Sequence, residues 1–180
     1  LTALNATQLT SGTVADARIS ALTASKLTGA LPAIDGSNLT GVGFPVGASA
    51  YVTGGQAISH NSATTLIFNT EVYDPNSNYN TSNGTYTVPS GQAGKYLATG
   101  HISIPVVDPT LHGLGIKVNG TTKIFQGQYG GTDTGGQEVT MILDLSVSDA
   151  VTWFCHHKAG ASKTTEASAY GTGMSIQRVA

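Results

Sequence analysis

Asn78-Tyr-Asn-Thr-Ser-Asn-Gly84-Thr-Tyr86-Thr-Val-Pro89-Ser-Gly91-Gln-Ala-Gly94-Lys-Tyr96 is the stretch that decides how this chain reads. It spells strand, turn, strand. Thr85, Tyr86, Thr87 and Val88 are β-branched or aromatic and suit a pleated surface. Pro89 has no N–H to give a ladder, so it stops that strand. Gly91 and Gly94 supply the backbone freedom of a tight connection. Tyr96 then opens Tyr-Leu-Ala-Thr-Gly-His-Ile-Ser-Ile, which ends at Pro105. The expectation is a hairpin punctuated by Pro and Gly.

The rest of the chain agrees with an all-β reading. Only 10% of the 180 residues are charged, and Gly, Thr and Ser are abundant. That composition is too poor in Lys, Glu and Leu for a helical bundle. Hydrophobic residues make up 39% and the net charge is −2, which argues against disorder. A pI near 6.2, with no Lys/Arg cluster, argues against nucleic acid and anionic membrane as partners. No apolar run approaches the roughly 18 residues of a membrane span, and no signal peptide is evident. Cys155 is the one cysteine, which excludes an intrachain disulfide and a Cys-based metal site. It reads as a small buried core residue.

Further strands are expected at Ala48–Thr53, Ala63–Asn69, Tyr96–Ile104, Leu111–Val118, Thr122–Tyr129, Glu138–Leu145, Val151–His156 and Ala167–Val179. Glu71–Ser77, with Asp74-Pro75, reads as a long loop. Asn119-Gly120 is a strong two-residue hairpin signal. Many short strands with turn signals between them indicate a sandwich or jelly roll of about ten strands.

Several of these features resemble the globular-head domain of the complement component 1q family, a relative of the tumour-necrosis-factor fold. Asn78, Tyr79, Asn80, Gly84, Tyr86, Pro89, Gly94 and Tyr96 occupy its signature positions, with a Pro-to-Gly turn two residues longer than usual. Phe68-Asn69 before the loop, Val118-Asn-Gly120, and Leu143-Asp-Leu-Ser-Val-Ser-Asp-Ala-Val-Thr-Trp153 also match, with Ser148 standing where the family has Gly. In the last strand the expected aromatic position falls on Gly171, with Tyr170 one earlier. The resemblance covers about residues 48–179 and implies a tight trimer. Some family members bind calcium before the strand equivalent to Glu138–Leu145. Asp133 matches one acidic position of that loop, but the other falls at Phe125, which cannot ligate. No metal and no cofactor are therefore expected.

Residues 1–43 are a different kind of sequence. Leu4, Leu9, Val14 and Ile19 recur every five residues. A phrase then repeats, as Ala6-Thr-Gln-Leu-Thr-Ser-Gly12, Ala24-Ser-Lys-Leu-Thr-Gly29 and Gly36-Ser-Asn-Leu-Thr-Gly41. One apolar residue per short unit cannot bury itself in a single chain, but several identical chains could bring the leucines to a common axis. Residues 20–43 resemble the repeats that precede bacteriophage tail-fibre tips. The organisation expected is a trimeric, intertwined shaft over 1–43 and a jelly-roll head over 44–180. The chain begins with Leu, as a piece of a longer fibre would.

No enzymatic signature emerges. Gly-x-Ser-x-Gly, His-Glu-x-x-His and phosphate-loop patterns are missing from the sequence, and its acids are scattered. His156 and His157 are adjacent, so in a strand they point to opposite faces. His60 and His112 are expected in or near loops. If the strands run alternately up and down from the shaft, Pro105–His112, Gly130–Gln137 and Lys158–Glu166 connect at the end away from it. Polar, Gly-rich loops on a rigid scaffold are where recognition usually sits. Asp108, His112, Tyr129, Asp133, Lys158 and Lys163 are the candidate ligand-binding residues, since sugars are held by aromatic faces and by polar hydrogen bonds.

The function expected is a non-enzymatic homotrimeric tip of a virion tail fibre. Its partners would be a host surface polysaccharide, lipopolysaccharide or protein receptor, and the rest of the fibre before residue 1. Nucleic acid and membrane insertion are not expected. The alternatives are a secreted cellular ligand-binding or structural protein of the same family, a head that mainly trimerises the shaft, or an enzyme that cuts polysaccharide.

Overall fold

The structure, a computed structural model, describes residues 46–105, 111–129, 134–168 and 171–180. The repeat region and its expected intertwining lie outside these. In chain order the strands are β1 Gly47–Tyr51, β2 Ala57–Ile58, β3 Thr64–Thr65, β4 Thr70–Tyr73, β5 Tyr79–Asn80, β6 Thr85–Thr87 and β7 Gly94–Pro105. They continue as β8 Leu111–Val118, β9 Thr121–Tyr129, β10 Thr134–Leu145, β11 Ala150–His157, β12 Lys163–Thr164 and β13 Gly173–Arg178. Among the described residues there is no helix, and every named strand pairing is antiparallel.

Two sheets enclose the core. The first has the order β10-β7-β13-β1-β4, and the second β5-β6-β11-β8-β9 with β3 also on β11. A small β12-β2 pair stands apart. Alternation explains the layering. In β7, Tyr96, Ala98, Ile102 and Ile104 are buried while Leu97, Thr99, His101 and Ser103 point away. In β11, Val151, Trp153 and Cys155 are fully buried. Trp153 lies edge-on to Phe68, with ring centroids 6.0 Å apart.

The deciding stretch is not a hairpin. β6 pairs with β11 and β5, whereas β7 pairs with β10 and β13. Residues 88–93 therefore cross from the second sheet to the first. The tyrosines that frame the crossing both turn inward, and the Tyr86 and Tyr96 rings meet with centroids 6.1 Å apart. Gly84 is fixed twice: its φ is +73, and a Cβ there would strike the Leu66 carbonyl oxygen. Asn119 and Gly120, with φ of 50 and 77, make the two-residue turn between β8 and β9. Ser148 adopts φ +69 in the turn before β11, the conformation a glycine would take there.

Other boundaries differ from expectation. Thr70–Tyr73 is a strand on the edge of the first sheet, so the loop shrinks to about Asp74–Asn78. There the Asp74 carboxylate accepts the N–H groups of Asn78 at 3.1 Å and Tyr79 at 2.8 Å. Beyond Leu66, whose N–H still bonds the Trp153 carbonyl, the strand ends because Gln56 Oε1 takes the Ile67 N–H and Tyr79 Oη the Phe68 N–H. The last strand begins only at Gly173.

Candidate functional site

Register places the chain's connections. β7 runs from Gly94 to Pro105, about 35 Å at the usual strand rise. Pro105 pairs with Thr134, Leu111 with Tyr129, and His112 with His157. The three connections expected together thus leave one end of the sandwich. Val46, where the described residues begin, bonds Arg178 through its carbonyl at the other end, beside Lys95 and Ala180.

The candidate residues do not form one cluster. His112 is not a loop residue. It is the second residue of β8, 1% exposed, and takes the inward row with Leu114, Ile116 and Val118. Its Nε2 lies 3.4 Å from Gln128 Nε2. Tyr129 closes β9 with 74% of its surface exposed. Lys158 follows β11, exposed, and its N–H donates to the Leu111 carbonyl at 2.8 Å. Tyr129 and Lys158 therefore flank Leu111. Lys163 is half-buried in β12, paired with Ile58. Asp108 and Asp133 lie outside the described residues.

The histidines near this end have structural work. His157 is fully buried; its Nδ1 accepts the Ala159 N–H at 3.2 Å, so the 3.0 Å bond to the Ile58 carbonyl is donated by Nε2–H. His60 Nδ1 accepts the Gly160 N–H at 3.0 Å. Ser162 Oγ also donates to Ile58 O, at 3.1 Å. The turn after β11 is thereby pinned to the segment after β2. His156 points the opposite way from His157, as strand alternation requires. Burial first, then the neighbouring Lys158 ammonium, lower its basicity. Cys155 is fully buried, and burial pushes its thiol up to about 12, far from a reactive thiolate.

A cleft of about 500 Å³ opens at the same end on the first sheet, lined by His101, Ser103, Gln137, Glu138, Glu166 and Gly171 among others. His101 faces Glu138 across the β7–β10 register, and the Glu166 N–H donates to Ser103 O at 2.8 Å. Sequence alone places His101 and Ser103 on the outward face by alternation. It puts Glu166 at the end of a connection but not beside β7, where its N–H bond to Ser103, next to the non-local β2–β12 pair, brings it. Among the described residues no group of three His, Cys, Asp or Glu is arranged to hold a metal ion.

The outward face of the first sheet has its own character. Its central rows are Ile142, Leu97 and Gln177, then Thr140, Thr99, Ser175 and Ser49. Neither row carries a charge. Leu97 is 37% and Ile142 60% exposed. A hollow of about 350 Å³ beside Tyr73 and Ser49 lies on this side.

No family model matches the sequence, and no curated protein matches it. Solved structures do. Murine APRIL at pH 5.0 superposes with a TM-score of 0.58 at 12% identity, covering 76% of this chain and all of that one (100%). The globular domain of zebrafish complement 1qA gives 0.53 at 14%, over 75% of this chain and 98% of that one. PRD1 vertex protein P5 gives 0.56 at 14%, over 76% and 96%. At such identities the likeness is one of fold: the head shares the jelly roll of these proteins.

Proposed function

We propose that residues 44–180 are one lobe of a homotrimeric adhesion head at the tip of a phage tail fibre, and that residues 1–43 form its shaft. The observation that carries the proposal is the outward face of β10-β7-β13-β1-β4. It is uncharged in its central rows, carries small hydroxyl residues there, and leaves Leu97 and Ile142 in water. Such a face is suited to burial against identical copies. The likeness to a phage vertex protein supports the viral setting. With the shaft joined at the Val46 end, the connections after β7, β9 and β11 would face the host, and three copies would multiply weak contacts. The ligand on this reading is surface glycan or lipopolysaccharide, and the head has no catalytic task.

Light scattering on residues 1–180 and on 44–180 tests assembly. A mass near three times 18.3 kDa for the full chain is expected. Monomers from both would overturn the proposal. Labelled trimer should bind host cells and be competed by their purified lipopolysaccharide. Trimers that support fibre assembly yet bind no cell would leave a trimerisation module. Shortened polysaccharide after incubation would make the head an enzyme.

A further inference from the structure

The second sheet carries an aromatic shelf on its outward face. Phe154, Gly115 and Phe125 share one cross-strand row; His156, Gly113 and Gly127 share the next. Leu111 and Tyr129 follow, with Lys158 bonded alongside. The rings lie on the glycines. A Cβ on Gly115 would come within 2.5 Å of the Phe154 ring, and one on Gly113 within 2.6 Å of Phe125 Cζ. Side chains at these positions would lift both rings off the sheet. The Phe125 and Phe154 rings stack at 5.7 Å with 12° between planes, and His156 meets Phe125 edge-on at 6.2 Å. Phe154 is buried, while Phe125 is half-buried. Tyr129 stands four residues along the same strand face, about 13 Å away. Gly127 between them is exposed.

Charge on this face has one sign. β3, β5, β6, β8, β9 and β11 contain Lys117 and Lys123 and no Asp or Glu. Lys117 Nζ sits 4.7 Å above the Phe154 ring. Neither Lys117 nor Lys158 has an ion-pair partner among the described residues. The shelf is thus bounded by a cation at each end, with aromatic rings and the exposed Gly127 between. Sugars offer an apolar C–H face to an aromatic ring. A neutral glycan would leave the two ammonium groups unanswered, whereas an acidic one would match them.

We propose that this shelf is the subsite for an acidic glycan. One sugar ring stacks on Phe125 and another on Tyr129, while carboxylates meet Lys117 and Lys158. The proposal deepens the adhesion reading above and rests on it.

Calorimetric titration of the full chain tests it. The probes are oligogalacturonate, hyaluronan fragments and oligosialate, beside neutral malto- and chito-oligosaccharides of equal length. At least one acidic probe should bind, more weakly as salt rises, with the neutral ones at least about tenfold weaker. Tyr129→Ala and Lys158→Ala, both at exposed strand ends, should each weaken binding about tenfold while leaving the unfolding midpoint in place. Gly127→Gln, whose Cβ would come within 2.8 Å of Phe125 Cε1, should displace that ring and weaken binding by a similar factor, with a lower unfolding midpoint. No binding by any acidic probe would overturn the proposal. So would equal binding of neutral probes, or binding indifferent to all three substitutions. A chain that adheres to host cells through Tyr129→Ala, Lys158→Ala and Gly127→Gln unchanged would retain the adhesion reading and lose the shelf. Acidic-probe binding by a chain that adheres to no cell would do the reverse.

Discussion

The two sheets share one core but present opposite surfaces. Outside the first, β7, β13 and β1 offer Thr99, Ser175 and Ser49 in a row, small and uncharged, with Leu97 and Ile142 beside them. Outside the second, rings lie flat on glycines and the only charges in its strands are lysines. Small groups in register leave a plane that another plane can approach. Aromatic rings over a glycine floor leave relief, and one-signed charge there repels a second copy of itself. On the proposed reading the faces have separate tasks: assembly for the first sheet, ligand for the second.

The largest effect that could break this division is loss of assembly. Thr99→Arg places a long cation in the middle of the first sheet's plane without touching the core. The expected outcome is a monomer by light scattering with an unchanged circular dichroism spectrum. Thr87→Arg, exposed on β6, should leave the trimer intact. If both variants stay trimeric, or both dissociate, the faces are not divided in this way.

Next comes the junction between the sheets. Gly100 of β7 faces inward, and a Cβ there would lie 2.6 Å from Trp153 Cδ1 and 2.8 Å from Nε1. Gly100→Ala should cost about 2–3 kcal/mol, since the indole is fully buried and has nowhere to move. Trp153 is the only tryptophan, so its fluorescence reports the shift in urea midpoint directly. A shift worth less than about 0.5 kcal/mol would mean that the sheets slide past each other freely at this point.

How much of this was legible from the residues follows the range of the interactions. Asn119-Gly120 needs two positive φ values and is surrounded by strand-formers, so the local text suffices. The inward tyrosines and the Trp153 strand follow from alternation. The crossing at 88–93 was misread because Pro89 and the glycines announce a turn but not which sheet receives the chain. β4 was hidden because Thr70–Tyr73 has a solvent-exposed edge rather than an apolar run. His112 looked like a polar residue at a loop edge. The strand from Leu111 was expected, but the pleat turns this imidazole inward, into the row of Leu114 and Ile116. The shelf was missed for another reason. Gly113, Gly115 and Gly127 read as weak strand positions, and only cross-strand register shows that they lie under two rings.

Alkaline pH should separate the sheets more gently. Burial raises the pKa of Tyr79, Tyr86 and Tyr96 above the ordinary 10.0, and that of Cys155 from 9.0 to about 12. A raised folded pKa means that the native state holds protons the unfolded chain releases. Their stabilisation is complete below pH 9 and is lost as pH climbs toward the folded values. Three of the four groups sit on β5, β6 and β11 of the second sheet. Hydrogen exchange above pH 9 should therefore show those strands losing protection before β13 and β1. Cys155→Ala should flatten the decline of stability between pH 9 and 11. Uniform loss of protection across both sheets would remove this distinction.

The smallest expected effect lies at the end nearest Val46, where a side-chain clasp ties two turns together. Asp149 accepts the Ser146 N–H at 2.9 Å and Asn119 Nδ2–H at 2.7 Å, while Asn119 Oδ1 accepts the Ala150 N–H at 2.9 Å. The Ser146 bond first, then the Asn119 bond, hold the carboxyl below its ordinary 3.8. A depressed folded pKa contributes stability that is present above the unfolded value and lost as pH falls through the folded one. Asp149→Ala should cost about 1 kcal/mol near neutrality and nothing once the wild-type carboxyl is protonated, because the bonds are solvent-exposed. Thermal midpoints of the pair should therefore converge in acid. The clasp joins the β8–β9 turn of the second sheet to the connection from β10 of the first. Its loss should leave assembly through the first sheet and binding on the shelf untouched. Reduced trimer mass in Asp149→Ala would show that the two faces are coupled through this end rather than independent.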